Sequence, residues 1–178
     1  MPLSLFFPPT ISYLSVAVFF TSMFRHLNAL LIFIKNSEKG KVKTRLAKTV
    51  GDDKALEIYH ALLDHTRKVA LATSADRLLF YSNYIEDNDA WAKEAFDKYV
   101  QAGDDLGKRM ENGFAKALEN HDKAVIIGSD CASLTAGIVE QAFAKLDEHP
   151  YVLGPAMDGG YYLLGMRTPT PALFRDIA

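Results

Sequence analysis

Apolar runs and stretches of helical periodicity alternate along the chain. Residues 30–34, the end of the run LNALLIFI, are continuously apolar up to Lys35, the pattern of a central strand covered on both faces. A loop over 36–41 follows and contains Gly40. Over about 53–72, Ile58, Tyr59, Leu62, Thr66, Val69 and Ala70 recur at helical spacing, with Asp52 or Asp53 placed to cap the start. Residues 78–81 read as a second short strand. Residues 89–99 read as a helix with Trp91, Ala95 and Phe96 inward, and 104–119 as a helix with Leu106, Met110, Phe114, Ala117 and Leu118 on one face. Residues 124–127 (AVII) form another buried strand, and Thr135 caps a helix carrying Ile138, Val139, Ala142, Phe143 and Leu146. Two further strands, 151–153 and 161–164, flank the turn-rich segment 154–160. Strands separated by helices predict a three-layer α/β fold with a mostly parallel sheet.

Composition narrows the class. The 178 residues are 49% apolar and 24% charged, which suits one globular domain. The single cysteine, Cys131, excludes an internal disulfide framework and a multi-cysteine zinc site, and fits a reducing, cytoplasmic setting. None of the five histidines shows the HExxH spacing of a zinc hydrolase. A net charge of −2 argues against a nucleic-acid partner.

Residues 1–24 carry no charge and are strongly apolar. A signal peptide would begin with a charged region, and Pro8-Pro9 breaks the run, leaving less than the roughly 20 apolar residues of a membrane span. An anchor ending near Phe24 would also leave almost no linker before the first strand. Residues 1–22 therefore read as an upstream extension of the kind a misplaced start site produces, and 23–178 as a single domain beginning at Met23.

Charge is concentrated in one place. Between Lys35 and Lys48 lie six cations, Lys35, Lys39, Lys41, Lys43, Arg45 and Lys48, opposed only by Glu38, so this window carries +5 and the remainder −7. It is either an anion site or a solvated loop. Ligands of open α/β sheets bind beyond the carboxyl ends of the strands. Three polar segments occupy such positions: 35–45, Gly128-Ser129-Asp130-Cys131, and Asp158-Gly159-Gly160. Lys35, Lys43 and Arg45 can gather phosphate oxygens, with Gly40 letting the backbone approach. This is no Walker A loop, because Val42 precedes Lys43-Thr44, and no GxGxxG follows the first strand. Asp130 is either a turn or cap residue or a hard oxygen ligand for Mg²⁺ or Mn²⁺ on a diphosphate. Asp158 before two glycines is either a tight turn or a second carboxylate facing the first. No histidine motif accompanies Cys131 to make it a nucleophile.

Four strings in order carry a resemblance. They are Phe33-Ile34-Lys35 with Gly40 and Lys43-Thr44-Arg45-Leu46-Ala47, then Gln101, Gly103, Asp105-Leu106-Gly107 and Arg109-Met110, then Gly128-Ser129-Asp130-Cys131, and last Gly154-Pro155-Ala156 with Asp158-Gly159-Gly160-Tyr161-Tyr162. From about residue 30 onward the chain resembles small bacterial GT-A-type glycosyltransferase-like proteins, the nucleotide-diphospho-sugar transferases. These are relatives of 2-phospho-L-lactate guanylyltransferase and, more distantly, of molybdenum-cofactor guanylyltransferase. The resemblance implies a Rossmann-like GT-A fold with its nucleotide site at the strand ends. It implies a divalent metal on Asp130, for which oxygen ligation suits Mg²⁺ or Mn²⁺; Asp158 reads as second ligand or acceptor-side base. It places Lys35, Lys43 and Arg45 near phosphates, Gln101, Gly103 and Asp105 near base or ribose, and the Asp158-Gly159-Gly160 turn beside a small-molecule acceptor; Gly40, Thr44, Gly159 and Gly160 complete the candidate nucleotide-binding set.

Two departures stand out. Ala132 replaces the family's usual proline after Asp-Cys, and the chain ends at Ala178 as a helix begins near Ala172, where family members continue through a further helix and an acidic strand end. The sequence thus reads as a domain truncated at its C-terminus. The expected activity is metal-dependent transfer from a nucleotide-activated substrate, an NDP-sugar. The alternatives are nucleotidyl transfer from an NTP to a phosphate or carboxylate with release of pyrophosphate, and a nucleotide-binding remnant without turnover. Both reactions need cations and metal on phosphate oxygens, so the motifs do not separate them.

Overall fold

The doubly apolar run around Ile32 becomes β1 (Asn28–Ile34), an interior strand of a six-stranded sheet. The computed structural model describes residues 28–157 and 159–175. The other strands are β2 (Asp76–Tyr81), β3 (Asp97–Val100), β4 (Lys123–Gly128), β5 (Tyr151–Pro155) and β6 (Tyr161–Met166). Their spatial order is β3-β2-β1-β4-β6-β5. The first four run parallel, and β6 runs antiparallel to both β4 and β5. Helices α1 (Thr44–Val50), α2 (Asp52–Leu71), α3 (Leu106–Leu118) and α4 (Ala136–Glu148), with a 3-10 turn at Pro171–Phe174, complete the described residues.

Side-chain alternation along the strands builds the three layers. Leu30, Ile32 and Ile34 of β1 join Val125 and Ile127 of β4 on one face, beneath Val69 and Ala70 of α2 and Val139, Phe143 and Leu146 of α4. Ala29 and Leu31 join Ala124 and Ile126 on the other, beneath Met110, Phe114 and Ala117 of α3 and Phe174 of the 3-10 turn. The fold is the mostly parallel, three-layer α/β sheet that the sequence predicts. Between β1 and β4 the chain departs in opposite directions, to β2 on one side and past β6 to β5 on the other. That is a topological switch point, where a crevice stays uncovered.

Several expectations need correction. No helix spans 89–99: residues 97–100 form β3, paired parallel with β2. Trp91 and Phe96 do point inward, packed edge to face at 4.9 Å, but as parts of an irregular connection. The Asp89 carboxylate organises that connection, accepting from the Trp91 N–H at 2.9 Å and from Lys98 at 2.7 Å. Local helix propensity yields to this tertiary network. Leu106 is 58% exposed, and the buried face of α3 is Gly107, Met110, Gly113, Phe114 and Ala117. Gly51, not an aspartate side chain, stands at the N-cap of α2, with Asp52 and Asp53 in its first turn. The helix expected near Ala172 is the 3-10 turn at Pro171–Phe174. The expected Thr135 cap is present, its hydroxyl accepting from the Ile138 N–H at 3.3 Å. The extension 1–22, the start at Met23 and Asp158 lie outside the described residues.

Phe114 is fully buried and stacks near Phe174 at 5.8 Å between centroids. Phe114→Ala should cost about 3–5 kcal/mol of unfolding free energy in urea titrations. A loss below about 1 kcal/mol would mean that α3 is not anchored through this ring.

Candidate functional site

A cavity of about 760 Å³ opens where β1 and β4 end. Its wall combines Lys35 at the exit of β1, the segment Val42 to Leu46, Tyr59 of α2, Gln101 after β3, and Ser129 and Asp130 after β4. The structure thereby brings Lys35, Lys43, Thr44, Arg45, Gln101 and Asp130 together.

The cationic window divides by partner. Lys39 pairs with Asp53 and Lys41 with Glu38, each at 2.5 Å, and neither lysine lines the cavity. Lys43 Nζ lies 2.7 Å from Asp130 Oδ1, with side chains 20% and 74% exposed respectively. Lys35 and Arg45 have no carboxylate partner among the described residues. Three cations against one carboxylate leave the cavity wall with two positive charges. Lys43 also precedes α1 in the left-handed region (φ 48), the only non-glycine described residue with positive φ. Such a conformation persists only where surrounding structure imposes it, at a cost of about 1–3 kcal/mol.

Tyr59 fixes the floor. Its hydroxyl accepts from the Lys35 N–H and donates to the Lys35 carbonyl, both at 2.9 Å. Burial pushes the Tyr59 phenol up, against the hydrogen bonds from Ser129 and Lys35 that act the other way. It therefore stays a neutral donor and acceptor that pins the strand end carrying the Lys35 cation. In the sequence Tyr59 stands out only as one apolar-face position of α2. Nothing local in the sequence marks its contact with Lys35.

Gln101 joins strand ends. Its side-chain amide donates to the Ile34 and Phe80 carbonyls, both at 3.1 Å, and its backbone N–H donates to the Tyr81 carbonyl at 2.9 Å. Both amide hydrogens are thus committed to backbone. Gly103 (φ 140) permits a close approach, since a Cβ there would lie 2.8 Å from the Arg109 nitrogen. Asp105 caps α3, accepting from the Lys108 N–H at 2.7 Å. Gly40 turns the cationic loop at φ 77. Gly159 and Gly160 sit in the turn closed by the Ala156 N–H on the Gly160 carbonyl at 2.9 Å. None of Gly40, Gly103, Asp105, Gly159 and Gly160 lines the cavity.

Among the described residues no group of three His, Cys, Asp or Glu side chains could hold a metal. The cavity's own carboxylate is Asp130. One hard carboxylate suits a cation that takes most of its ligands from phosphates and water, so this donor set fits Mg²⁺ or Mn²⁺ shared with a diphosphate. A second cavity of about 330 Å³ shares Ile34 and Lys35 with the first. Beside it Asp89 accepts from the Tyr81 hydroxyl and pairs with Lys98, whose side chain is 5% exposed. Burial, then the Asp89 bond, push the Tyr81 phenol far up. This network was not legible in the sequence.

The family model described as "Uncharacterized protein conserved in bacteria (DUF2064)" matches residues 63–178. The chain belongs to the DUF2064 family. The matched segment of this DUF2064 protein contains Gln101 and Asp130, and the cationic loop precedes it. Among solved structures, a Desulfovibrio desulfuricans G20 protein, provisionally described as a nucleotide-diphospho-sugar transferase, is similar at 34% identity and TM-score 0.77, over 84% of this chain and 68% of that one. A cytidylyltransferase from Leptospira borgpetersenii serovar Hardjo-bovis (strain JB197) shares the fold at 14% identity and TM-score 0.50, over 83% and 62%. A Mycobacterium tuberculosis H37Rv protein does so at 13% identity and TM-score 0.53, over 85% and 78%. The DUF2064 chain thus spans less than two thirds of the Leptospira protein's length. No curated protein matches it. Among the described residues no helix is long and apolar enough to cross a membrane.

In this DUF2064 protein Tyr59→Phe should lower stability by about 1–3 kcal/mol, because it leaves the Lys35 N–H and carbonyl without their partner. Chemical denaturation of the purified variant reads the loss. Unchanged stability would show that water replaces the hydroxyl.

Proposed function

We propose that the protein is a transferase acting on a nucleotide-activated substrate, with an NDP-sugar as donor and its diphosphate in the cavity between β1 and β4. The observation that supports this most is the convergence of Lys35, Lys43 and Arg45 on a cavity at the topological switch point, two of them without a carboxylate partner among the described residues. A site with surplus positive charge and a mixed polar wall suits a polyanion of nucleotide size. The similarity to the Desulfovibrio protein, at 34% identity, supports a sugar-nucleotide donor.

In this reading Lys35 and Arg45 gather the phosphate oxygens, and Tyr59 holds Lys35 in place. Asp130 would hold Mg²⁺ or Mn²⁺, which when bound neutralises the charge developing on the departing diphosphate. Gln101 acts by joining the ends of β1, β2 and β3, so its effect on the nucleotide runs through the shape of the wall. Asp158 retains the proposed role of second ligand or acceptor-side base. The fold shared with a cytidylyltransferase makes nucleotidyl transfer the second outcome to test.

Lys35→Ala and Arg45→Ala should each weaken nucleotide binding by about 1–3 kcal/mol, the range for a charge-assisted hydrogen bond. The measurement is thermal stabilisation by a panel of NTPs and NDP-sugars, with Mn²⁺ and with chelator. Asp130→Asn should remove the metal-dependent part. NDP release from a stabilising NDP-sugar selects glycosyl transfer, and pyrophosphate release from an NTP selects nucleotidyl transfer. If no nucleotide stabilises the parent protein, the site reading fails.

A further inference from the structure

The cation and the carboxylate that the proposed site would present to its ligands are joined to each other. Lys43 Nζ stands 2.7 Å from Asp130 Oδ1, and Asp130 has no other ion pair among the described residues. Lys43 makes this contact from a left-handed backbone at the head of α1, in the loop that also carries Arg45. Lys35 and Arg45, by contrast, have no carboxylate partner among the described residues.

We propose that Lys43 is a built-in stand-in for the divalent cation: it occupies Asp130 until metal and diphosphate are both present, and then transfers its ammonium from the carboxylate to phosphate. This rests on the reading of the cavity as a nucleotide–metal site. A metal arriving alone meets a neutralised carboxylate and an adjacent ammonium that repels it. A diphosphate arriving alone meets a lysine already engaged. Together they offer each half of the pair a new partner, so two ionic contacts replace one. Metal and diphosphate then bind with positive coupling, and by linkage each strengthens the other by the same factor. Removing the ammonium separates the two ligands: metal alone should bind more tightly, and diphosphate more weakly. A lysine that only braced the loop would give no such opposite response.

The test uses the full chain and the electron paramagnetic resonance signal of free Mn²⁺, with and without an equimolar mixture of ADP, CDP, GDP and UDP. The variants are Lys43→Met, Lys43→Asn (asparagine tolerates the left-handed backbone) and Asp130→Asn. The parent should bind Mn²⁺ weakly alone and about tenfold more tightly with the diphosphates. Both Lys43 variants should bind Mn²⁺ alone about three- to tenfold more tightly than the parent, at and somewhat above the range of a part-exposed ion pair. Their gain from diphosphates should fall below about threefold, and Asp130→Asn should bind Mn²⁺ in neither condition. Lys43 variants whose affinity for Mn²⁺ alone is unchanged or lower, in a parent that does bind Mn²⁺ with diphosphate, overturn the stand-in role and leave the nucleotide site intact. A parent that binds no Mn²⁺ even with the diphosphates overturns the metal reading, and the stand-in role with it.

Discussion

β1 and β4 lie side by side and parallel, yet the chain leaves them toward opposite edges of the sheet. That constraint governs what the rest of the structure can do. Helices packed over the sheet cannot close the gap above two strands whose connections diverge, so a crevice persists at their carboxyl ends. The residues emerging there, Lys35 and Asp130, both line it, at strand ends whose register sets Phe33 beside Gly128. The buried alternation of both strands fixes the two chain exits to within side-chain reach, and the loop after β1 supplies the cations.

Much of the fold was legible because its central strands are apolar on both faces and leave no other reading. β1 and β4 follow from continuous apolar runs of five and four residues, 30–34 and 124–127. β3 does not. Its sequence, DKYV, has exposed ends and lies at the sheet's edge, while the Trp91–Ala95–Phe96 spacing upstream imitates a helix. The same residues do pack inward, but their path is set by Asp89 and by one isolated turn, closed by the Ala95 and Phe96 N–H groups on the Ala92 carbonyl. Leu106 misled for a different reason. It opens α3 at the mouth of the cavity, so an apolar residue at helical spacing lines a ligand-sized space instead of the core.

The candidate site was legible as a set of residues and not as a set of pairings. Chain position marks Lys35 and Asp130, since a charged residue just past a buried strand emerges at the ligand edge, and the cationic window marks Arg45. The joining of Lys43 to Asp130 depends on 86 intervening residues folding back, which local pattern does not encode. Gln101 and Asp105 show the converse. Polar side chains at a strand exit resemble ligand donors, and the backbone had already taken their hydrogen bonds. Gln101 still lines the cavity, whereas Asp105 does not.

The chain's single tryptophan, Trp91, sits buried against Phe96 in the connection between β2 and β3. It lines the smaller cavity, whose wall includes the same Lys35 that reaches into the larger one. The molecule therefore carries its own optical probe, free of competing indoles, in the wall of a cavity that shares Ile34 and Lys35 with the crevice. Rearrangement at the end of β1 would reach that indole through Lys35 and Ile34. Its emission reports on this flank of the molecule without any label.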